Sequence, residues 1–192
     1  MNEDEDMRGM WLCTGLVLLQ VLVILVLFLV LNTARADVTF QGNLLDRPCR
    51  VDPATGTQDV VFLETSQKTF NTYPGRGYTE DFQIRLINCY AMTIGKIAQL
   101  TFLGAEEAKL PGYLAVSGIN AGNLGIGLID TDGSRMLKLN HIHNHGTGDQ
   151  VTGTELTLKF GAFVQSTPDA MAGRRVVAGN YSATATFELN YH

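Results

Sequence analysis

The chain ends with Gly179-Asn-Tyr-Ser-Ala-Thr-Ala-Thr-Phe-Glu-Leu-Asn-Tyr-His192, in which apolar and polar residues alternate up to the carboxylate. Alternation with a period of two is typical of a β-strand that has one buried face. Chain termini usually fray, so a regular strand in this position needs partners that cover its apolar face and pair with its edge. The residues of that face are Tyr181, Ala183, Ala185, Phe187, Leu189 and Tyr191.

Most of the remaining sequence also indicates strands, separated by Gly, Asn, Asp and Pro. They are predicted at residues 82–86, 97–103, 113–116, 124–129, 136–139 and 156–164. Helical content is expected only at 105–109 and 168–172, and both segments are too short to build a helical layer. The sequence therefore predicts an all-β sandwich.

The N-terminal part of the chain has the pattern of a secretory signal. Residues 10–31 are almost all apolar, and Ala34-Arg35-Ala36 supplies the small-x-small motif of a cleavage site. We therefore expect a signal peptide at residues 1–36 and a mature chain that begins at Asp37. The acidic residues 2–6 do not suit a signal peptide, so Met7 is the expected translation start. The alternative is a retained membrane anchor, because the apolar run approaches the ~20 residues that span a bilayer.

Export also affects how the net charge and the redox state of the cysteines are interpreted. Removing residues 1–36 leaves 156 residues, enough for one domain with a core. The net charge is then −3 and no basic run occurs, so nucleic acid is not an expected partner. Cys49 and Cys89 are the remaining cysteines, and in an oxidising compartment they should form a disulfide.

A second alternating segment precedes the predicted sandwich, at Asp37-Val-Thr-Phe-Gln-Gly-Asn-Leu-Leu-Asp-Arg-Pro48. One face of this segment carries Val38, Phe40, Gly42 and Leu44. A glycine within a short apolar strand face suggests close approach to another backbone or a narrow groove. The pattern equally permits an ordinary first strand with a bulge at Gly42.

Taken together, these features resemble those of a chaperone-usher pilus subunit. The shared marks are a signal peptide, an alternating extension with a glycine, Pro48-Cys49, a second cysteine that closes the strand ending in Asn88-Cys89, a glycine fourteenth from the end and a penultimate tyrosine. The resemblance covers the whole mature chain. The amino-acid sequences of several segments are similar to those of a minor adaptor subunit that joins tip fibrillum to rod.

The resemblance implies an incomplete immunoglobulin-like β-sandwich, a pilin fold lacking its seventh strand. In this family a periplasmic chaperone lends a strand to the resulting groove, and at the outer-membrane usher the extension of the next subunit replaces it. Residues 37–48 would then be the donor-strand extension, with Val38, Phe40, Gly42 and Leu44 filling the groove of a neighbouring pilus subunit, and 49–192 the pilin domain. The groove and chaperone-contact residues would be Gly179, Tyr181, Ala183, Ala185, Phe187, Leu189, Tyr191 and His192, whose carboxylate would pair with basic residues of the chaperone.

Two other classes of function stay open at this point. A secreted immunoglobulin-like binding module, such as a lectin or receptor binder, would use residues 37–45 as its first strand. A secreted metal-dependent hydrolase would use His141, His143 and His145, which alternate. Their polar, glycine-rich neighbours favour a surface turn, and Asp130-Thr-Asp-Gly133 favours a hairpin turn over a calcium loop. We expect a structural subunit of a cell-surface pilus, without enzymatic activity, cofactor, metal or small-molecule substrate.

Overall fold

The computed structural model describes residues 48–192 together with Gln20 and Leu22. The chain divides into two compact units, Met1–Leu44 and Leu45–His192, and the second contains nearly all of the described residues. Apart from Gln20 and Leu22, the expected signal peptide lies outside the described residues, as does the expected donor segment with Val38, Phe40, Gly42 and Leu44. None of the helices among the described residues has the length and apolar character needed to cross a bilayer.

The regular secondary structure of the second unit is mostly strand, with a few short helices. The strands are β1 (Arg50–Val51), β2 (Arg76–Ile87), β3 (Ile97–Gly104), β4 (Leu114–Ala115), β5 (Ser117–Gly118), β6 (Leu124–Ile129), β7 (Met136–Leu137), β8 (Asp149–Gln150), β9 (Leu156–Ser166), β10 (Tyr181–Ser182) and β11 (Ala185–Tyr191). The helices are α1 (Pro53–Gly56), α2 (Gln67–Phe70), a 3₁₀ turn (Ala91–Thr93) and α3 (Pro168–Ala172).

The larger sheet has the strand order β1-β2-β9-β6-β4, with β7 paired to the side of β6. Its pairs are antiparallel. β2 and β9 form the longest ladder, in which Ile84 lies opposite Leu158 and Leu86 opposite Leu156. Because residues 82–86 of β2 and 156–160 of β9 alternate, their apolar side chains meet on the inner face of this sheet.

The second sheet has the order β11-β3-β8, so the C-terminal strand lies at its edge. β5 and β10 form a separate two-stranded pair. The two main sheets are packed through aromatic rings, with the centroids of Phe102 on β3 and Phe160 on β9 5.1 Å apart in an edge-to-face contact. Side chains from both sheets contribute to a single buried hydrophobic core. The predicted all-β sandwich is confirmed.

β6 is buried at every position, so its sequence is continuously apolar rather than alternating. Gly127 shows why glycine is needed here. A Cβ at this position would lie 2.5 Å from the ring of Phe163 and 2.7 Å from that of Tyr113. These two rings make an edge-to-face contact 5.8 Å apart across the strand. The glycine therefore allows an aromatic pair to close over the strand.

The helical predictions are half correct. Residues 168–172 form α3, where the hydroxyl of Thr167 accepts a hydrogen bond from the backbone N–H of Ala170. Residues 105–109 are not helical; Glu106 instead forms a β-bridge with Leu114. The hairpin predicted at 130–133 is confirmed, since β6 and β7 pair directly and Gly133 adopts a φ of 73° in the turn.

The predicted disulfide between Cys49 and Cys89 is confirmed. It ties the start of the domain to the end of β2, and the two Cα atoms are 4.1 Å apart. The carbonyl of Pro48 reinforces this junction by accepting hydrogen bonds from the N–H of Tyr90 (3.1 Å) and the hydroxyl of Thr93 (2.8 Å). The point at which the chain enters the domain is therefore fixed.

Replacing Cys49 with serine is expected to lower the free energy of unfolding by about 2–5 kcal/mol, because the bridge constrains residues separated by 40 positions in the unfolded chain. Urea unfolding of the purified, refolded protein in dilute solution, where aggregation is limited, measures this loss. The midpoint of the natural protein should fall on addition of a reductant, whereas that of the serine variant should not move. Equal midpoints for the two oxidised proteins would contradict the expectation.

Candidate strand-binding groove

The C-terminal strand β11 is held firmly on one side. It pairs with β3 over its whole length, with Phe187 opposite Phe102, Leu189 opposite Leu100 and Tyr191 opposite Ala98. The ladder continues to the last residue, because the backbone N–H and carbonyl of His192 bond to Ile97 at 3.0 and 2.8 Å. Along its other edge β11 has no paired strand among residues 48–192.

The inner face of this sheet is buried unevenly. On β3, Ala98 and Leu100 are 0% exposed and Phe102 is 4% exposed. Their partners on β11 are only half-buried, although they are apolar and lie on the same face. The burial of the apolar side chains thus falls from complete on β3 to partial on the neighbouring strand β11. This is the pattern of a sheet whose apolar face extends beyond its last strand.

A second unpaired edge lies on the larger sheet, in the segment 58–65. The side chain of Gln58 bonds to the carbonyl of Gln83 (3.0 Å), and the N–H of Leu63 bonds to the carboxylate of Glu80 (3.3 Å). The segment therefore runs antiparallel to β2. Yet the backbone groups of residues 60–62 form no backbone hydrogen bond with any other described residue.

Segment 58–65 approaches the C-terminal strands, since the ring of Phe62 lies 6.2 Å from that of Tyr181 on β10. We call the surface between segment 58–65 and β10–β11 the edge groove. The half-buried apolar side chains of these elements that pack against the core are Val60, Phe62, Tyr181, Ala183, Phe187, Leu189 and Tyr191. An apolar surface bordered by two unpaired backbone edges has the chemistry to accept an extended peptide as an added strand.

Tyr191 carries the most constrained polar atom of the groove. Its hydroxyl oxygen is buried and has no hydrogen-bond partner among the described residues. Loss of hydration by burial raises the pKa of Tyr191 from 10.0 to about 12. The same cause raises the pKa of Tyr181. Both tyrosines therefore remain neutral in this apolar setting at ordinary pH.

Replacing Tyr191 with phenylalanine is expected to stabilise the domain by up to about 1 kcal/mol, because it removes a buried hydroxyl that has no partner among the described residues. The raised pKa adds a pH dependence. A folded-state pKa of about 12 against 10.0 unfolded means that the tyrosine's contribution is present below pH 10 and lost as the pH rises towards 12. The phenylalanine variant lacks that loss. Urea unfolding of the refolded protein in dilute solution at pH 8 and pH 11 measures both effects, with Tyr90→Phe as an exposed control. Lower stability of Tyr191→Phe at pH 8 would refute the view that the Tyr191 hydroxyl is buried without a partner.

The other residues of the predicted groove set are placed as follows. Ala183 is half-buried, but Ala185 is exposed at the first position of β11. Gly179 precedes β10, and a Cβ there would lie 2.6 Å from Cγ2 of Ile119. Val60 and Phe62, which form the opposite wall, were not predicted from the sequence.

The three alternating histidines have separate protein partners. His143 is fully buried; its Nδ1 accepts from the N–H of Leu100 at 2.9 Å, and its Nε2 donates to Asp149 at 3.2 Å. His145 lies 3.1 Å from Asp132, and His141 bonds to the carbonyl of Leu139 at 2.9 Å. Within residues 48–192 no three His, Cys, Asp or Glu side chains are grouped as metal ligands.

Comparison with known proteins identifies relatives over most of the sequence. The family model described as "Fimbrial protein" matches residues 38–192. The chain is 54% identical to the fimbrial adapter PapK of Escherichia coli over 170 residues, which cover 87% of this chain and 96% of PapK. It is 52% identical over 170 residues to the protein PrsK of Escherichia coli, with the same two coverages.

The fold is similar to that in the crystal structure of the P pilus rod subunit PapA. The TM-score is 0.63 at 21% sequence identity, and the match covers 76% of this chain and all of PapA. At that identity the likeness concerns the fold. The predicted immunoglobulin-like pilin fold, with the final strand at a sheet edge, is therefore confirmed.

Proposed function

Because this chain belongs to the fimbrial protein family, we propose that it is a structural subunit of a chaperone-usher pilus and serves as an adapter between parts of the fibre. The observation that carries this proposal is its 54% identity to a fimbrial adapter over almost the whole length of that protein. The edge groove supports it, because an apolar surface bordered by two unpaired edges gives each subunit a place to receive an extended segment from another.

In this proposal, residues 37–48 are the donor segment and 49–192 are the domain that receives one. The family model begins at residue 38, so it includes the alternating segment before Cys49. Val38, Phe40 and Leu44 would each contribute roughly 1.5–3 kcal/mol when buried in a neighbouring groove. Main-chain hydrogen bonds would add generic affinity, and the spacing of the apolar side chains would set the register.

Before assembly the edge groove needs a temporary occupant. A subunit with half-buried apolar residues along an open edge is prone to edge-to-edge aggregation. We propose that, after removal of residues 1–36 on export, a periplasmic chaperone supplies the missing strand and contacts the groove and the His192 carboxylate. The outer-membrane usher then exchanges that strand for the donor segment of the next subunit, and the product is a pilus on the cell surface.

A secreted binding module with a complete sandwich is the competing hypothesis. Expression in a periplasm with and without the cognate chaperone separates the two. A groove-bearing subunit should aggregate or be degraded when alone and should be recovered as a stoichiometric complex when the chaperone is present. Recovery of a soluble monomer without the chaperone would reject the pilus-subunit proposal and favour the binding module.

A further inference from the structure

Three large apolar side chains lie close together on the surface where the chain enters the domain. Tyr90 is 52% exposed, Met92 63% and Ile94 45%. They belong to one turn that contains the 3₁₀ helix Ala91–Thr93. Single exposed apolar residues are ordinary on a protein surface, but several in one place indicate a contact surface. We call Tyr90, Met92 and Ile94 the root patch.

The root patch is attached directly to the start of the domain. The carbonyl of Pro48 accepts hydrogen bonds from the N–H of Tyr90 and the hydroxyl of Thr93, and Thr93 is buried beneath the turn. The disulfide between Cys49 and Cys89 holds the residues on either side of this contact. Pro48, the first residue of the described domain, therefore lies beside the root patch.

We infer that the root patch binds the fimbrial subunit that receives the donor segment of this chain, and so forms a second contact between the two. This inference rests on the proposed function. Leu44, the last apolar residue of the donor face, is four positions before Pro48. A chain of four residues spans at most ~14 Å. A groove that holds Leu44 must therefore lie within that distance of Pro48.

The receiving subunit is large compared with this short connecting segment, so the two subunits must touch. A domain of this length has a radius of gyration of about 15 Å, which is similar to the tether itself. The body of the receiving subunit is thus brought against the surface around Pro48, where the root patch presents its three side chains. The patch is apolar, so it fits an apolar surface at the mouth of the receiving groove.

Photo-crosslinking in assembled pili tests the inference whichever subunit receives the segment. In the bacterium that makes this protein, p-benzoylphenylalanine is incorporated separately at Met92, at Phe40 on the apolar face of the donor segment and at Tyr78. Tyr78 is 66% exposed and lies on β2, away from the root patch, and serves as the control. Pili are isolated and irradiated, and the adducts are identified by peptide mass spectrometry.

We expect the Met92 and Phe40 probes to give adducts heavier by one fimbrial subunit, and both adducts to contain the same subunit. The Tyr78 probe should give none with that subunit. A Phe40 adduct without a Met92 adduct, a Met92 adduct with a different protein, or an equal adduct from Tyr78 would overturn the root-patch inference and leave the proposed function standing. Absence of any fimbrial adduct from Phe40 in pili that contain the subunit would overturn the proposed function, and the inference with it.

Discussion

Replacing Leu189 with aspartate is expected to abolish binding of the periplasmic chaperone. The subunit, no longer captured, should then be lost by aggregation or degradation. Leu189 is half-buried in the edge groove and lies opposite Leu100, which is fully buried. A strand added at the edge of β11 would complete the burial of this site. A carboxylate there would lose its hydration without gaining a partner, at a cost of at least about 3 kcal/mol, on the order of 100-fold in the binding constant.

Co-purification with a tagged chaperone measures the effect, and the sequence offers a matched control. Asn190 is the next residue along β11, and it is exposed on the opposite face. Asn190→Asp introduces the same charge without placing it in the groove, so this variant should be captured at the level of the natural protein. Equal recovery of Leu189→Asp and the natural protein would contradict the assignment of β11 as the wall that receives the strand.

One wall of the edge groove was predictable from sequence and the other was not. Residues 187–191 alternate because β11 exposes one face to solvent and turns the other towards the core, so periodicity was sufficient there. It did not show that the alternating segment is divided into β10 and β11, or that Ala185 is exposed. Residues 60–63 are four consecutive apolar residues without alternation. The structure separates them into half-buried Val60 and Phe62 and exposed Val61 and Leu63. That separation depends on side-chain contacts with β2, which are distant in sequence and leave no local signal.

The short helices show the same difference between local and distant control. The amide N–H of Ala54 bonds to the Asp52 side chain and that of Lys68 to Ser66, so α1 and α2 begin at ordinary N-caps, although neither helix was predicted. Residues 105–109 have helical composition, but 105–107 are held extended by bonds to residues 113–115, such as the 2.9 Å bond from the N–H of Glu107 to the carbonyl of Tyr113, and 108–109 form a turn. Tertiary pairing overrides propensity at this position.

The three alternating histidines do not share one face, because the backbone between them is not a strand. Alternating residues share a face only if the segment is a strand. Asn144 and His145 adopt φ values of 50° and 59°, in the left-handed region, so the chain turns between the histidines. Asp130 receives the N–H groups of both turn residues at 2.8 and 3.1 Å. The polar residues 140–149 thus stabilise a folded loop, which agrees with the surface turn that their composition favoured.

Replacing Gly42 with leucine is expected to slow insertion of the donor segment into the neighbouring subunit by about 10- to 100-fold. The alternation of the sequence predicts that Gly42 shares a face with Phe40 and Leu44, between two apolar side chains that would enter the groove. A groove matched to bare backbone at this position would have to accommodate a large side chain, and overpacking of that kind costs about 1–3 kcal/mol. The purified chaperone complex of each variant is mixed with the chaperone complex of the neighbouring subunit. The rate at which chaperone is released from the neighbouring subunit measures insertion.

The adjacent Asn43 provides the matched control, because its side chain is predicted to lie on the outer face of the donor segment. Asn43→Leu adds a side chain of the same size without placing it in the groove, so it should exchange at nearly the natural rate. Deleting residues 37–47 should prevent exchange altogether and change the stability of the chaperone-bound subunit by no more than the roughly 0.5 kcal/mol of a surface change. If the deletion unfolds the subunit, or if both leucine variants exchange equally, residues 38–44 are a core strand of this domain. If the domain folds without this segment, and if Gly42→Leu slows exchange while Asn43→Leu does not, the segment is a donor strand for the groove of another subunit.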